Sequence, residues 1–167
     1  MSHPHNKLFY TLLTFSYKYI ENGIMYNYIP TNYSVLEHIV PYLKQKISIL
    51  DVGSGLGEFM VLLKYYSKTT LNIDINVSGI EIDESIKNYV KIPTVFINAF
   101  DFDQYDKYDL IYLYQPIKDV DKMQNLLKYI ITYKNPIIYN NSNLTEQYLT
   151  EIGFNQLKNN IWYFNDK

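Results

Sequence analysis

The spacing of apolar residues along this chain changes near residue 46. Before that point apolar residues recur every three or four positions, over residues 6–20 and again after Thr31, which predicts two helices. Beyond it, short apolar runs alternate with amphipathic stretches, and this pattern predicts strands and helices in turn. The predicted strands cover residues 47–52, 77–82, 94–97, 108–114 and 136–139.

Local signals place the helices and the chain reversals between these strands. Asp83 is predicted to cap a helix that runs to Tyr89. A capping box from Asn143 to Glu146 is predicted to open a helix that ends at Gly153. Further helices are predicted over residues 58–66 and 119–133, and a hairpin turn at residues 159–160.

This alternation predicts an α/β fold. We expect a doubly wound, mostly parallel sheet with helices on both faces and a C-terminal antiparallel hairpin, preceded by N-terminal helices. The length of 167 residues fits a single domain, with a helical lid over residues 1–45 and the sheet core over residues 46–167. In such a sheet, ligands bind beyond the carboxyl ends of the strands, at the point where the strand order reverses.

Composition excludes several classes of site and partner. The chain has no Cys, which excludes disulfides, thiolate metal sites and Cys nucleophiles. It has 15 Lys, no Arg and a net charge of −2, which argues against a nucleic-acid partner. No apolar run reaches the ~18 residues that span a membrane, and the first residues lack a signal-peptide core, so we expect a cytoplasmic domain without a membrane partner. His3 and His5 stand near the terminus, and no metal site is predicted.

Candidate chemistry begins where the first predicted strand ends. Half of the six glycines fall there, at Gly53, Gly55 and Gly57. Glycines let the chain turn sharply and bring backbone N–H groups close to a ligand, just ahead of a helix N-terminus. The next strand ends at Glu81, whose carboxylate can accept both hydroxyls of a ribose. Together these two features predict a nucleoside-binding site.

The charges around this turn favour one cofactor. A dinucleotide fingerprint would have its third glycine at position 58, where this chain has Glu58, and a carboxylate there opposes a pyrophosphate. Asp51 adds a second negative group, and no Gly-Lys-Ser/Thr phosphate loop is present. Both carboxylates suit a ligand that carries an ammonium and a sulfonium. The predicted cofactor is therefore S-adenosylmethionine.

Three stretches of the chain resemble motifs of the class I S-adenosylmethionine-dependent methyltransferases, which have a Rossmann-like sheet. Residues 50–57, Leu-Asp-Val-Gly-Ser-Gly-Leu-Gly, resemble the first motif, and residues 79–83, Gly-Ile-Glu-Ile-Asp, the acidic strand that follows. Residues 98–101, Asn-Ala-Phe-Asp, resemble the loop beside the adenine, with Asn in place of Asp. The resemblance implies that the glycine turn lines the methionine and ribose, that Glu81 holds the ribose hydroxyls and that Ile82 packs on the adenine.

Two further stretches bear on which chemical group receives the methyl. Residues 28–31, Tyr-Ile-Pro-Thr, are similar to an entry found in class I protein-lysine methyltransferases, where this loop closes over the methionine end. Residues 114–117, Tyr-Gln-Pro-Ile, stand where many members have Asn-Pro-Pro-Tyr, and the departures argue against nucleobase amino groups as acceptors. The implied catalytic candidates are Tyr28, Tyr114 and Gln115. The predicted cofactor-binding residues are Tyr28, Thr31, Asp51, Gly53, Ser54, Gly55, Gly57, Glu81, Ile82, Asn98, Ala99 and Asp101.

These observations favour an enzyme that transfers a methyl group to an amine of a protein side chain, of lysine type, by in-line displacement. A small-molecule acceptor is the alternative within the same chemistry. A non-catalytic S-adenosylmethionine-binding module is a third hypothesis, supported by the departures at Asn98 and Gln115 and by the lack of an insertion between the fourth and fifth strands. An NAD or nucleotide-sugar enzyme on the same fold is disfavoured by Glu58.

Overall fold

A seven-stranded sheet organises the part of the chain that the structure describes, residues 34–140 and 143–166 of a computed structural model. The strands are β1 (Ser48–Val52), β2 (Asn76–Glu81), β3 (Thr94–Phe96), β4 (Leu110–Tyr114), β5 (Ile137–Asn140), β6 (Asn155–Lys158) and β7 (Ile161–Phe164). Their order in the sheet is β3-β2-β1-β4-β5-β7-β6. Strands β1 to β5 pair in parallel, whereas β7 pairs antiparallel with both β5 and β6. The predicted doubly wound sheet with a terminal hairpin is confirmed.

Helices and turns connect these strands. The α-helices are α1 (Ser34–Ile39), α2 (Glu58–Thr70), α3 (Val120–Ile131) and α4 (Glu146–Glu151). Short 3₁₀ helices cover Val40–Tyr42, Glu84–Ile86 and Tyr105–Lys107. Asp119 caps α3, since its Oδ1 accepts a hydrogen bond from the Lys122 amide at 2.9 Å. Asn160 has a φ of 60° in the two-residue turn between β6 and β7, as the hairpin prediction requires.

The two faces of the sheet carry separate apolar clusters, because successive residues of a strand point to opposite faces. On one face, Leu50 of β1 packs in a cluster that includes Leu127 of α3. On the other face, Ile49 packs in a cluster with Leu36 of α1 and Leu63 of α2. All of these side chains are buried. Both clusters hold the carboxyl ends of β1 and β4 in fixed positions, and the candidate site lies at those ends.

The connection from β2 to β3 differs from its prediction. Asp83 does cap a helical turn, with its Oδ1 accepting from the Ser85 amide, but only the 3₁₀ helix Glu84–Ile86 follows instead of a helix that runs to Tyr89. A tertiary contact explains the difference. The Lys91 amide donates to the carbonyl of Leu56 at 2.9 Å, which draws the chain back toward the turn after β1.

The cap of α4 also differs from its prediction. Thr145 is the N-cap, and its Oγ1 accepts from the amide of Tyr148 at 3.2 Å. Asn143 has another role, because its side-chain amide donates to the carbonyls of Ile117 and Lys118. This asparagine therefore ties the loop after β5 to the loop after β4.

Several predictions fall outside the described residues. They concern the helix over residues 6–20 and the entry motif Tyr28–Thr31. The division into a lid over residues 1–45 and a core over residues 46–167 stays a prediction. Within the described ranges, no helix combines the length and apolar character that a membrane crossing requires.

Replacing Leu127 by alanine tests the core assignment. Leu127 is 0% exposed, so Leu127→Ala removes packed methyl groups and should lower the free energy of unfolding by about 2–5 kcal/mol. Val120 on the same helix is 43% exposed, and Val120→Ala should change that free energy by less than about 0.5 kcal/mol. Urea denaturation measures both values. Equal losses in the two variants would contradict the assignment of α3 to the core.

Candidate active site

The candidate site lies at the carboxyl end of β1, where the strand order of the sheet reverses. Strand β1 pairs with β2 on one side and with β4 on the other, and the chain crosses to β2 first. The turn formed by residues 53–57 leads from β1 into α2 at this position. A doubly wound sheet opens a crevice for a ligand at such a reversal.

Glycines are required in this turn for two separate reasons. Gly53, Gly55 and Gly57 have φ angles of 74°, 53° and 76°, in the left-handed region that residues with a Cβ seldom adopt. Space is also absent at two of them. A Cβ at Gly53 would lie 2.5 Å from the Cβ of Pro116, and one at Gly57 would lie 2.5 Å from Cγ1 of Ile92. The turn therefore serves as a contact point for the loop after β4 and the segment before β3.

The backbone amides of the turn donate within the protein. The Gly53 and Ser54 amides both donate to the carbonyl of Ile80 in β2, at 2.9 and 3.0 Å, and the Gly57 amide donates to the Ser54 carbonyl at 2.8 Å. The Gly55 amide donates to Oε2 of Glu81 at 2.9 Å. The sequence predicted N–H groups that face a ligand, and at these four positions the structure gives them protein acceptors instead.

Glu81 ends β2 as the centre of a hydrogen-bond cluster. Besides the bond to Gly55, its Oε1 accepts from the amides of Ile82 at 2.8 Å and Asp83 at 3.1 Å. Its carbonyl accepts from the amide of Ile97 at 2.9 Å, just beyond the end of β3. Ile82 itself is 69% exposed, which leaves an apolar side chain uncovered at the end of β2.

The loop after β3 stands beside this cluster. Oδ1 of Asn98 accepts from the Phe100 amide at 3.1 Å, and the carbonyl of Asn98 accepts from the Asp101 amide at 2.9 Å. The Ala99 carbonyl accepts from the hydroxyl of the buried Tyr105 at 2.8 Å. These bonds fix the shape of residues 98–101, and the Ile97 bond to Glu81 holds them next to the end of β2.

Asp51 and Ser54 are both buried at the turn. Burial, reinforced by the negative charge of Glu81, raises the pKa of the Asp51 carboxyl to about 8. Burial thus favours the neutral form of the Asp51 carboxyl, whereas the sequence suggested a negative group. The Ser54 hydroxyl faces Gly79, where a Cβ would collide with it, and has no hydrogen-bond partner among the described residues.

The residues predicted to contact the methyl acceptor lie at the end of β4. Gln115 directly follows β4 with a φ of 39°, a conformation that costs a residue other than glycine of order 1 kcal/mol and that recurs at functional sites. Pro116 touches Gly53, so this loop and the glycine turn are in direct contact. Tyr114 is half-buried, and burial raises the pKa of its hydroxyl.

The structure brings most of the predicted site residues to one end of the sheet. The glycine turn, Glu81, Ile82, residues 98–101 and Gln115 all lie at the carboxyl ends of β1 to β4. The predicted site residues outside the described part of the chain are Tyr28 and Thr31.

Sequence reasoning missed the segment before β3, which has no motif. There, Lys91 pairs with Glu58 at 2.7 Å and Ile92 covers Gly57. The pair offsets the charge of Glu58 that the sequence argument used against a pyrophosphate.

Comparisons with known proteins agree on one class. Residues 26–163 match the family model described as "Methyltransferase domain". No curated protein sequence matches the chain significantly.

Among solved structures, a putative S-adenosyl-L-methionine-dependent methyltransferase from Methanococcus maripaludis has a TM-score of 0.57 at 13% identity, covering 80% of this chain and 84% of that one. An S-adenosylmethionine-dependent methyltransferase from Archaeoglobus fulgidus has a TM-score of 0.53 at 20% identity, covering 75% and 68%. Magnesium protoporphyrin IX methyltransferase from Synechocystis PCC 6803, solved with bound S-adenosylmethionine, has a TM-score of 0.54 at 13% identity with the same coverage. At these identities the three likenesses show a shared fold.

The raised pKa of Asp51 predicts a pH dependence of stability. Between the ordinary value of 3.8 and about 8, the folded protein keeps a proton on Asp51 that the unfolded chain has released, so stability falls as pH rises through this window. From pH 6 to pH 8 the free energy of unfolding should fall by about 2–3 kcal/mol more in the wild type than in Asp51→Asn, which cannot titrate. Urea denaturation at the two pH values measures this difference, and parallel pH profiles would exclude a buried, protonated Asp51.

Proposed function

The chain belongs to the methyltransferase-domain family, and on that basis we propose that it transfers a methyl group to a neutral amine of a protein side chain, of lysine type. S-adenosylmethionine is the methyl donor that such a domain implies, and it is bound in the Synechocystis relative. The finer proposal, the nature of the acceptor, rests on the residues around the end of β4 and on the entry motif at residues 28–31.

The residues of the site fit this donor better than a phosphate-bearing cofactor. A pyrophosphate is bound by free backbone N–H groups at a glycine turn and a helix N-terminus. In this chain the amides of Gly53, Ser54, Gly55 and Gly57 already have protein acceptors. Beside them stand the carboxyl groups of Asp51 and Glu81 and the exposed Ile82, which suit a cationic amino-acid moiety, a ribose and an adenine. This use of the amides is the observation that carries the assignment.

The bound cofactor would contact groups from four strand ends. Glu81 would accept the ribose hydroxyls, and Ile82 would cover one face of the adenine. The loop of Asn98, Ala99 and Asp101 would border the adenine amino group. Asp51 and the residues of the turn, Gly53, Ser54, Gly55 and Gly57, would line the methionine and ribose. Tyr28 and Thr31 lie outside the described residues, and their proposed role at the methionine end rests on the resemblance of the entry motif alone.

S-adenosylmethionine, when bound, supplies a methyl group on a positively charged sulfur. The task left to the protein is positioning, because an amine lone pair needs to lie in line with the bond that breaks. Gln115 is suited to this task, since its amide oxygen can accept a hydrogen bond from an amine N–H while leaving the lone pair free. The Tyr114 hydroxyl offers a second polar group. On receiving the methyl group the amine would gain a positive charge, and the proton that it then carries would pass to water.

The charge of this loop supports an amine as the acceptor. Residues 114–117, Tyr-Gln-Pro-Ile, offer a hydroxyl and an amide, and the first cationic side chain of the loop, Lys118, follows them and is exposed. A carboxylate acceptor would call for a cation to hold it, as Arg or Lys does in other proteins. An amine needs only hydrogen-bond acceptors, provided that it arrives without its proton.

Transfer from a methyl-labelled donor in lysate of the native host tests the acceptor. We expect label in a protein band, and in methylated lysine after acid hydrolysis, because the loop holds a neutral amine. Label in a small soluble product would contradict the protein acceptor and favour a small-molecule enzyme. A lack of incorporation, with cofactor binding shown by calorimetry, would contradict transfer and favour a non-catalytic module.

Two glutamine variants provide the matched control for that assay. Gln115→Ala should lower incorporation by about tenfold or more, since misplacing the acceptor by about 1 Å costs about that much or more. Gln156 is exposed on β6, at the far edge of the sheet, and Gln156→Ala should leave incorporation unchanged. Equal activity in the two variants would remove Gln115 from the proposed mechanism.

A further inference from the structure

One of the turn amides differs from the others in the kind of acceptor that holds it. The Gly53 and Ser54 amides donate to the carbonyl of Ile80, and that carbonyl is part of the β2 backbone. The Gly57 amide donates to the Ser54 carbonyl within the turn itself. Only the Gly55 amide, among these four, donates to a side chain, the Glu81 carboxylate. A side chain can rotate without unfolding the sheet, whereas a strand carbonyl cannot.

The Glu81 carboxylate has little acceptor capacity left. A carboxylate offers about four lone-pair positions, two on each oxygen. Three backbone amides already use it, those of Ile82 and Asp83 on Oε1 and that of Gly55 on Oε2. A ribose diol brings two O–H donors, so about five donors would compete for about four positions. When both hydroxyls donate to this carboxylate, at least one of the present bonds gives way.

The bond to Gly55 is the one expected to break. Ile82 and Asp83 are the next two residues in the chain, so their amides remain near the Glu81 side chain. Gly55 is 26 positions away in sequence and reaches Glu81 only across the turn. Because glycine tolerates both signs of φ, the peptide at Gly55 can reorient at low cost once its bond is lost.

We infer that Glu81 is a latch on the glycine turn: its carboxylate holds the Gly55 amide in the cofactor-free protein and gives it up when ribose hydroxyls bind. In the cofactor-free protein Glu81 positions the Gly55 amide, and in the complex it binds the ribose. The freed Gly55 amide becomes a donor that the bound ligand can use, so this N–H group is offered to the ligand only after the ribose has docked. The release step rests on the proposed function, whereas the hold in the free protein does not.

Amide hydrogen exchange in the cofactor-free, full-length protein tests the hold. Glu81→Ala should speed exchange at Gly55 by about tenfold or more, because the amide loses its acceptor, while Gly53 and Ser54 change by less than about twofold. Those two amides also report whether the turn stays folded. If they exchange fast too, Glu81→Leu, which fills similar space but has no acceptor oxygen, replaces the alanine variant. Glu84 is exposed in the 3₁₀ helix three residues after Glu81, and Glu84→Ala is the control for the lost charge. Unchanged exchange at Gly55 in folded Glu81 variants would overturn the hold.

Titration of the wild-type protein with S-adenosylhomocysteine tests the release. The amide resonance of Gly55 should move further than those of Gly53 and Ser54, whose backbone acceptor stays in place. Binding heat without movement of the Gly55 resonance would overturn the release while leaving the proposed function intact. Absence of binding heat would count against the proposed function and against release of the Gly55 amide. The exchange experiment would still decide whether Glu81 holds that amide in the free protein.

Discussion

The glycine turn after β1 is the constraint on which the rest of this site depends. Gly53 and Gly57 adopt positive φ angles, and the space of their missing side chains is filled by Pro116 and Ile92. Two amides of the same turn are bound to the carbonyl of Ile80. A single five-residue turn thus joins the ends of β1, β2 and β4 and the segment before β3. A substituent at either glycine would push apart the elements that form the crevice.

A glycine turn whose amides are bound by protein acceptors attracts anions less than a turn with free amides. A glycine turn before a helix attracts anions when its N–H groups are free. Here the protein itself binds the amides of Gly53, Ser54, Gly55 and Gly57, and Glu81 and the buried Asp51 stand at the same place. A cation that approaches Asp51 would favour its ionised form, against the burial that now raises its pKa. In the cofactor-free protein these four amides are thus not offered to a phosphate, and the two carboxyl groups suit a positively charged ligand.

Local signals predicted what local interactions determine. The five strands of the parallel part, the turn at Asn160, the cap at Asp83 and the glycine turn follow from spacing and residue type, and all appear in the structure. The short 3₁₀ helix after β2 could not be predicted, because it depends on the Lys91 amide reaching Leu56, a tertiary contact. Tertiary contacts also determine the partners of the turn amides and the pKa of Asp51. Neither could be predicted from the sequence, because both depend on which groups the folded sheet brings together. The roles of Tyr28 and Thr31 stay predictions.

Calorimetric titration with S-adenosylhomocysteine and with NAD tests the central claim, that this crevice binds a cationic adenosyl amino acid rather than a dinucleotide. We expect the homocysteine product to bind and NAD to give no heat. In Glu81→Ala, verified as folded by its circular dichroism spectrum, the product should bind more weakly by about 1–3 kcal/mol, because hydrogen bonds to a charged group are lost. Tighter binding of NAD than of S-adenosylhomocysteine, or wild-type affinity in a folded Glu81→Ala protein, would contradict the claim.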